Sequence, residues 1–449
     1  MASVRVRMYR QGLGDSFLLT FTDGKKSAHV LIDSGVFLGT GAAEAKMRAV
    51  AQNVVDTTGG KLDVLVATHE HWDHLSGFVQ AQDVFKDLEI GEIWLAWTED
   101  PADQLAKELR KQKKRTLNAL DRAASQLAAS GETNAVTTAE QVEGLLDFFG
   151  ADRAAAPGAS TETALDWIKD RDAQIRYLRP GDRVAALGSH VYVLGPPHDS
   201  AQIKRSDPSK SHPEVYELAA DRSTLGLLTA IESLGNAEAG RQPFARGYQL
   251  TDEEAKAEPL FTKCYGLPEL KWRTIEHDWL DASGSLALKL DSDTNNTSLV
   301  LAFELADDGP VLLFPGDAQV GNWLSWRSVQ FADAPGVTPD DLLARTVLYK
   351  VGHHASHNAT LREAGLELMT SPDLVAMIPV NREMAQRKHW SMPFPPLFKR
   401  LGEKTMGRLL DADLGLAGAK ADELPARHWQ EFLRRKDVKE GWIDYTIPQ

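Results

Sequence analysis

Apolar and polar residues alternate at the start of the chain. Positions 4–9 and 16–22 read as two strands joined by the turn Gln11-Gly12-Leu13-Gly14-Asp15. A third strand, 29–32, ends in Asp33-Ser34-Gly35, and residues 42–57 read as a helix broken by Gly59-Gly60. The apolar run Leu62-Asp63-Val64-Leu65-Val66-Ala67 predicts a buried strand, 75–86 a helix, and 90–97 another strand. From 101 to 180 the pattern changes. Ala, Gln, Lys, Arg, Glu and Leu dominate there, which predicts a helical insertion. Strand patterns return within 181–198, at 181–184 and 190–197. A polar stretch, 199–283, follows and carries Trp272 and Trp279; it reads as a loop with helices, serving as a lid or a dimer contact. The core resumes over 284–449, with Leu286-Ala287-Leu288, strands near 295–301, 311–314, 347–351 and 375–379, and a helix opening at Pro395-Pro396. Strands alternating with helices predict an α/β fold whose N-terminal half occupies 1–100.

Composition narrows the picture. With 449 residues, 43% of them hydrophobic and 25% charged, the chain has room for a large core and an ordinary globular balance. A single cysteine, Cys264, excludes an internal disulfide framework and a Cys-rich zinc module. No apolar run approaches the roughly 18 residues needed to span a bilayer. Residues 1–8 lack the apolar core of a signal peptide, so a cytoplasmic location is the expectation. The net charge of −14 argues against an extended nucleic-acid footprint, whose affinity comes largely from counterion release. Residues 107–115 run against that balance, with Lys107, Arg110, Lys111, Lys113, Lys114 and Arg115. They form either a solvated helix face or a phosphate-binding rim.

The chemistry concentrates in Thr68-His69-Glu70-His71-Trp72-Asp73-His74, where the strand 62–67 ends. Open α/β sheets place their chemistry at such ends. Four potential ligands within six residues diverge too much for one ion, but suit two. His69 and His71 face one metal, Asp73 and His74 the other. Asp33 either orients one of these histidines from behind or caps its own turn.

The spacing His69-x-His71-x-Asp73-His74 resembles the metallo-β-lactamase superfamily of metallohydrolases. Within it the chain is most similar to the ComEC-like branch, which also includes a phosphorylcholine esterase. The Gly12-Leu13-Gly14-Asp15 turn, Ile32-Asp33-Ser34-Gly35, Val193-Leu194-Gly195-Pro196-Pro197, Pro315-Gly316-Asp317, Lys350-Val351-Gly352-His353-His354-Ala355-Ser356 and the segment from Asn381 to His389-Trp390 carry that likeness, which covers 4–97, 181–198 and 284–415. The resemblance implies an αββα sandwich of two sheets between helix layers, interrupted here by two largely helical insertions. It implies that Asp317 bridges two divalent ions, Zn²⁺ or alternatively Mn²⁺ or Fe. It implies that His354 ligates and His353 contacts the substrate oxyanion. The ligand usually supplied between the first motif and the bridging aspartate is missing. Asn296 stands in that place, supporting the ligands from behind or leaving the place to a water; His198 is the alternative, followed by His190, His212 and His277. His389 is either a substrate contact or structural.

The chemistry implied is attack by a metal-bridging hydroxide, with Asp73 accepting a proton or orienting the nucleophile. The substrate expected is a phosphodiester, either a small molecule or single-stranded nucleic acid. The alternatives are a lactone, thioester or β-lactam hydrolase, and an inactive metal-binding scaffold. A homodimer is an open expectation. A nuclease should line residues 107–115, Lys350 and residues 382–388 along one channel; a lactonase site should be closed and apolar.

Overall fold

The computed structural model describes residues 3–130, 133–150, 160–186, 188–205, 252–265, 282–358 and 360–448. Its contacts divide the chain into two units, one of residues 1–111, 147–219 and 291–449, the other of 112–146 and 220–290.

The first unit holds two sheets. The first contains β1 (Ser3–Tyr9), β2 (Ser16–Asp23), β3 (Lys26–Ser34), β4 (Lys61–Ala67), β5 (Glu89–Ala96) and β6 (Gln174–Leu178). The second contains β7 (Arg183–Ala186), β8 (Ser189–Gly195), β9 (Val300–Glu304), β10 (Val311–Phe314), β11 (Thr346–Lys350), β12 (Val375–Ile378), β13 (Leu409–Asp411) and β14 (Gly415–Leu416). The chain then returns to the first sheet with β15 (Lys436–Val438) and β16 (Trp442–Pro448). The strand orders are β15-β16-β1-β2-β3-β4-β5-β6 and β14-β13-β12-β11-β10-β9-β8-β7, each mixing antiparallel and parallel pairs.

Side chains alternate across a strand, so each sheet has an inner and an outer face. Val30, Ile32, Val64 and Val66 pack inward against Val191, Val193, Phe303, Leu312 and Met377 of the other sheet. Phe17 meets Phe314 edge-on with ring centroids 5.6 Å apart. On the outer face of the first sheet, Leu31, Leu65, Ile93 and Leu95 pack on Met47, Val50, Ala51 and Val54 of the helix Ala43–Thr58. On that of the second, Tyr349 and Ala376 pack with Trp323, Trp326, Leu397 and Leu401. The result is an αββα sandwich, the fold expected.

The second unit is helical in its described part. It takes in the later part of the helix Gln104–Ser130, then Thr133–Leu146, Asp252–Ala257 and Pro259–Tyr265. Its boundaries differ from the insertions 101–180 and 199–283 read from the pattern. Residues 147–178 belong with the sheets, because β6 pairs with β5. Leu286-Ala287-Leu288 is not a core strand but part of the helix Ala282–Asn295, whose middle run Leu286–Leu290 consists of good helix formers. The helix expected over 75–86 is three short ones, Trp72–Leu75, Gly77–Gln80 and Gln82–Phe85. Trp272, Trp279, His212 and His277 lie outside the described residues. Among the described residues no helix is long and apolar enough to cross a membrane.

Candidate metal centre

Parallel pairing of β3 with β4, Ile32 opposite Val66, brings the two strand ends side by side. Asp33, in the left-handed region at φ 57°, ends the ladder. Its Oδ1 accepts the Thr68 N–H at 2.8 Å, and its Oδ2 accepts the Thr68 hydroxyl at 2.7 Å. The same Oδ2 lies 2.7 Å from His74 Nδ1. Asp33 therefore holds both the start of the histidine loop and one of its rings. The carboxylate puts the ring proton on Nδ1 and leaves Nε2 as the outward donor atom. Behind the loop, a Cβ added to Gly35 would stand 2.4 Å from the Asp73 carbonyl, so only glycine permits that approach.

Thr68 also orders His69. Its hydroxyl hydrogen goes to Asp33, so its oxygen accepts from His69 Nδ1 at 3.1 Å. His69 Nε2 then faces His71 Nδ1 at 3.0 Å. Burial, and after it His74 and His71, hold His69 well below the ordinary histidine range. Phe148 and Phe149 cover His71, with ring centroids 5.4 and 4.9 Å from its own. Trp390 stacks on Phe148 at 5.2 Å and meets Phe37 at the same distance.

β10 ends in Phe314-Pro315-Gly316-Asp317, and Gly316 takes φ 57° against Ser298. Asp317 Oδ1 accepts the His353 N–H at 2.8 Å and Lys350 Nζ at 3.0 Å. That leaves Oδ2, 3.1 Å from His74 Nε2, as the oxygen facing the cluster. Lys350 is buried between Asp317, Asp15 and the Gly316 carbonyl. It is a strut of the site and not part of a surface channel.

The turn after β11 carries three consecutive left-handed residues, His353, His354 and Ala355. His354 Nδ1 donates to the Pro379 carbonyl at 2.6 Å, which turns Nε2 to Asp73 Oδ2 at 2.8 Å. His353 points elsewhere. Its Nδ1 lies 2.8 Å from the Ser356 hydroxyl and 3.2 Å from the Gln319 amide, whose Oε1 accepts the Ser292 hydroxyl. Burial pulls His353 down to about 4, keeping this ring neutral.

Asp73, His74, Asp317 and His354 are all buried and bring one ligand atom each within 4.8 Å of one another. Burial opposes the charge on His74, but Asp317, Asp73, Asp15 and Asp33 around it push it well above the ordinary range. Burial likewise opposes ionisation of Asp317, yet Lys350 and His74 hold it well below the carboxylate range. Asp73 Oδ1 has no hydrogen-bond partner among the described residues. A buried carboxylate oxygen left open beside histidine nitrogens suits a divalent cation, and the donor set fits Zn²⁺ or Mn²⁺.

The remaining sequence candidates fall elsewhere. His198 is half exposed, lies 2.9 Å from Asp103 and rests on Trp97, outside the cluster. His190 pairs with Arg183 and the carboxylates of Asp307 and Glu304. His389 is exposed in a left-handed conformation; its neighbour Trp390 is the residue that reaches toward the site. Asn296 is a fully committed strut. Its Oδ1 accepts from the backbone N–H groups of Gln319 and Asn322, and its Nδ2 donates to the carbonyls of Ile203 and Arg205.

Sequence reasoning passed over Phe148, Phe149, Asp15 and Asp291. Asp291, at the end of the helix Ala282–Asn295, is buried with Oδ1 3.8 Å from His71 Nε2. Only the turn Gly12-Leu13-Gly14-Asp15 offered a signal; the others sit in no motif.

The family model of the Metallo-beta-lactamase superfamily matches residues 9–110, which include His69, His71, Asp73 and His74. That stretch is a metallo-β-lactamase superfamily domain, and the superfamily is one of metal-dependent hydrolases. No curated protein matches the chain.

Proposed function

We propose that the protein is a dinuclear metal-dependent phosphodiesterase of the ComEC-like branch, acting on a small phosphodiester. The observation that carries the reading is the buried cluster of Asp73, His74, Asp317 and His354 beside His69 and His71. Bound divalent ions lower the pKa of coordinated water toward neutrality and so supply the nucleophile. Asp73, open at Oδ1, orients that water or takes its proton. His353, kept neutral by burial and tied through its backbone N–H to Asp317, contacts negative charge developing on the substrate. Phe148, Phe149 and Trp390 exclude bulk water from the His71 side.

A small substrate is favoured over nucleic acid because several of the cations that would track a backbone are committed. Arg382 forks onto Asp411, Arg387 pairs with Glu383, and Lys388 pairs with Asp147. Arg110 donates to the carbonyls of Thr98 and Asp100. The aromatic cover over His71 favours one second reading, hydrolysis of a lactone, thioester or β-lactam.

The test is metal analysis followed by assay of bis-p-nitrophenyl phosphate, single-stranded DNA and a lactone panel, beside Asp73→Ala and His71→Ala. Turnover of the small phosphodiester, lost in both variants, is expected. Turnover of lactones alone removes the phosphodiesterase reading. Absence of bound metal after Zn²⁺ or Mn²⁺ supplementation removes the hydrolase reading itself.

A further inference from the structure

We propose that Asp15 and Lys350 form one positioning device for Asp317. This buried ion pair engages one oxygen of that carboxylate and presents the other to the metal ions with part of its charge withdrawn. The inference rests on the dinuclear reading above, and it gives a role in the reaction to two residues that bind no metal themselves.

Lys350 is the last residue of β11, and its side chain is buried. An ammonium has three protons to donate. Three acceptors surround this one: Asp317 Oδ1 at 3.0 Å, the Gly316 carbonyl at 2.8 Å and the Asp15 carboxylate. All three protons are therefore used, and none is left to grip a substrate phosphate. Asp317 Oδ1 also accepts the His353 N–H at 2.8 Å. Two donors on one oxygen hold the carboxylate against rotation. Its Oδ2 then stays toward the cluster, 3.1 Å from His74 Nε2.

Asp15 makes the lysine tolerable. A lone ammonium buried beside divalent ions would be repelled and would carry a heavy desolvation cost. The backbone fixes Asp15 in place: its N–H donates to the Asp73 carbonyl and its carbonyl accepts the Gly35 N–H, both at 3.0 Å. Its carboxylate also lies 3.8 Å from His74 Nδ1 and 3.9 Å from His354 Nδ1. Those two nitrogens are already engaged, one by Asp33 and one by the Pro379 carbonyl. Lys350 is thus the partner that Asp15 holds by direct contact. The pair adds no net charge to the centre, and its positive end is the one that meets Asp317.

The consequence is chemical. Hydrogen bonds from a charged donor are roughly twice as strong as neutral ones. An ammonium on Oδ1 draws electron density out of Asp317, so the carboxylate neutralises the ions less. They remain stronger Lewis acids toward water. Without the ammonium, Oδ1 is free to turn onto an ion. The metal would then be held no less tightly, while its water would be less activated.

The experiment uses the full chain as wild type, Lys350→Met and the double variant Asp15→Asn/Lys350→Met. The double variant removes both charges together, so it keeps the balance of the buried pair should the single variant misfold around an unpaired Asp15. Circular dichroism of the chelated proteins checks folding. Bound metal per chain is counted after dialysis against buffered Zn²⁺, the absorption spectrum of the Co²⁺-loaded protein is recorded, and kcat and KM are measured on bis-p-nitrophenyl phosphate. The double variant should hold two ions with undiminished affinity. Its kcat should fall about 10- to 100-fold with KM little changed, and its Co²⁺ bands should shift as Oδ1 joins the coordination. Wild-type kcat with an unchanged Co²⁺ spectrum in the folded double variant overturns the proposal. So does a loss of activity that saturating metal restores in full, because the pair would then serve affinity alone. The Co²⁺ comparison needs no turnover, so it decides the point even where the phosphodiesterase reading fails. A wild type that holds fewer than two ions overturns the proposal together with the dinuclear reading.

Discussion

The two halves of the centre are built differently. Around Asp73, His74, Asp317 and His354 each anchoring bond comes from a polar group behind a ligand: Asp33 behind His74, the Pro379 carbonyl behind His354, Lys350 behind Asp317. Around His69 and His71 the backing is thinner. Thr68 orders His69, and the face of His71 meets the rings of Phe148 and Phe149. The electrostatics follow. Carboxylates overcome burial to raise His74, and Asp73, Asp317 and Asp15 do the same for His354. Burial, with His74 and His71 beside it, outweighs the pull of Asp317 and keeps His69 low. Rigid, charge-dense bracing suits an ion held permanently, whereas an apolar wall suits the side on which a substrate settles.

The comparison breaks most directly at Asp317. Asp317→Ala should lower kcat/KM by more than about a hundredfold, beyond the usual loss for an outer-shell residue. It should also leave Lys350 buried beside Asp15 alone, so thermal unfolding should shift downward as well. An active, fully metallated variant would remove Asp317 from the centre.

Asp33→Asn tests whether the bracing is one-sided. The amide can still accept from Thr68, but it no longer carries the charge that orients His74. Metal affinity should fall about 10- to 100-fold at one position while the other is retained. Competition with a chromophoric chelator separates the two, and equal weakening of both would show that they are not independently held.

The two halves should also differ in their response to pH. In chelated protein His74 and His354 titrate above the ordinary 6.5, so an ion entering there must displace protons. Affinity at that position should rise with pH, by up to about tenfold per unit for each proton displaced. A raised folded-state pKa stabilises when the group is charged, so the chelated protein should lose stability as pH climbs above 6.5. His69 is depressed and already neutral there, so it has no proton to release to an entering ion. Titrations at several pH values decide it, and parallel slopes would contradict the contrast.

The smallest effect is expected from the aromatic wall. Phe148→Leu keeps most of the volume and should cost less than about 1.5 kcal/mol of stability. It should alter preference between aromatic and aliphatic leaving groups by about tenfold, read as a ratio of kcat/KM values. An unchanged ratio would place the substrate elsewhere.

Much of the centre was legible in the chain because its signals are local. His69, His71, Asp73 and His74 lie within six residues at the end of an apolar strand, and the Gly-Asp and His-His turns also follow buried strands. Strand ends of a parallel sheet meet at one edge whatever joins them, so such motifs converge without knowledge of the loops. The same logic made strands β1 to β5 and an α/β fold readable from alternation, while the αββα arrangement was what the family resemblance implied. It failed where periodicity is shared or hidden. Leu286-Ala287-Leu288 is compatible with strand or helix, and β6, β15 and β16 owe their pairing to partners far away in sequence.

The sequence by itself determined which residue types gather at strand ends, and hence a histidine-aspartate loop suited to metal in a metallo-β-lactamase superfamily domain. Only tertiary structure decided the surroundings of that loop. It sank Lys350 between two aspartates, tied Asn296 into four hydrogen bonds, turned His198 toward Asp103, and delivered Asp291 and Phe148 to His71. The physical reason is reach. A motif of neighbouring residues is set by local backbone geometry, whereas a carboxylate more than 200 positions away finds its place only when the sheets pack.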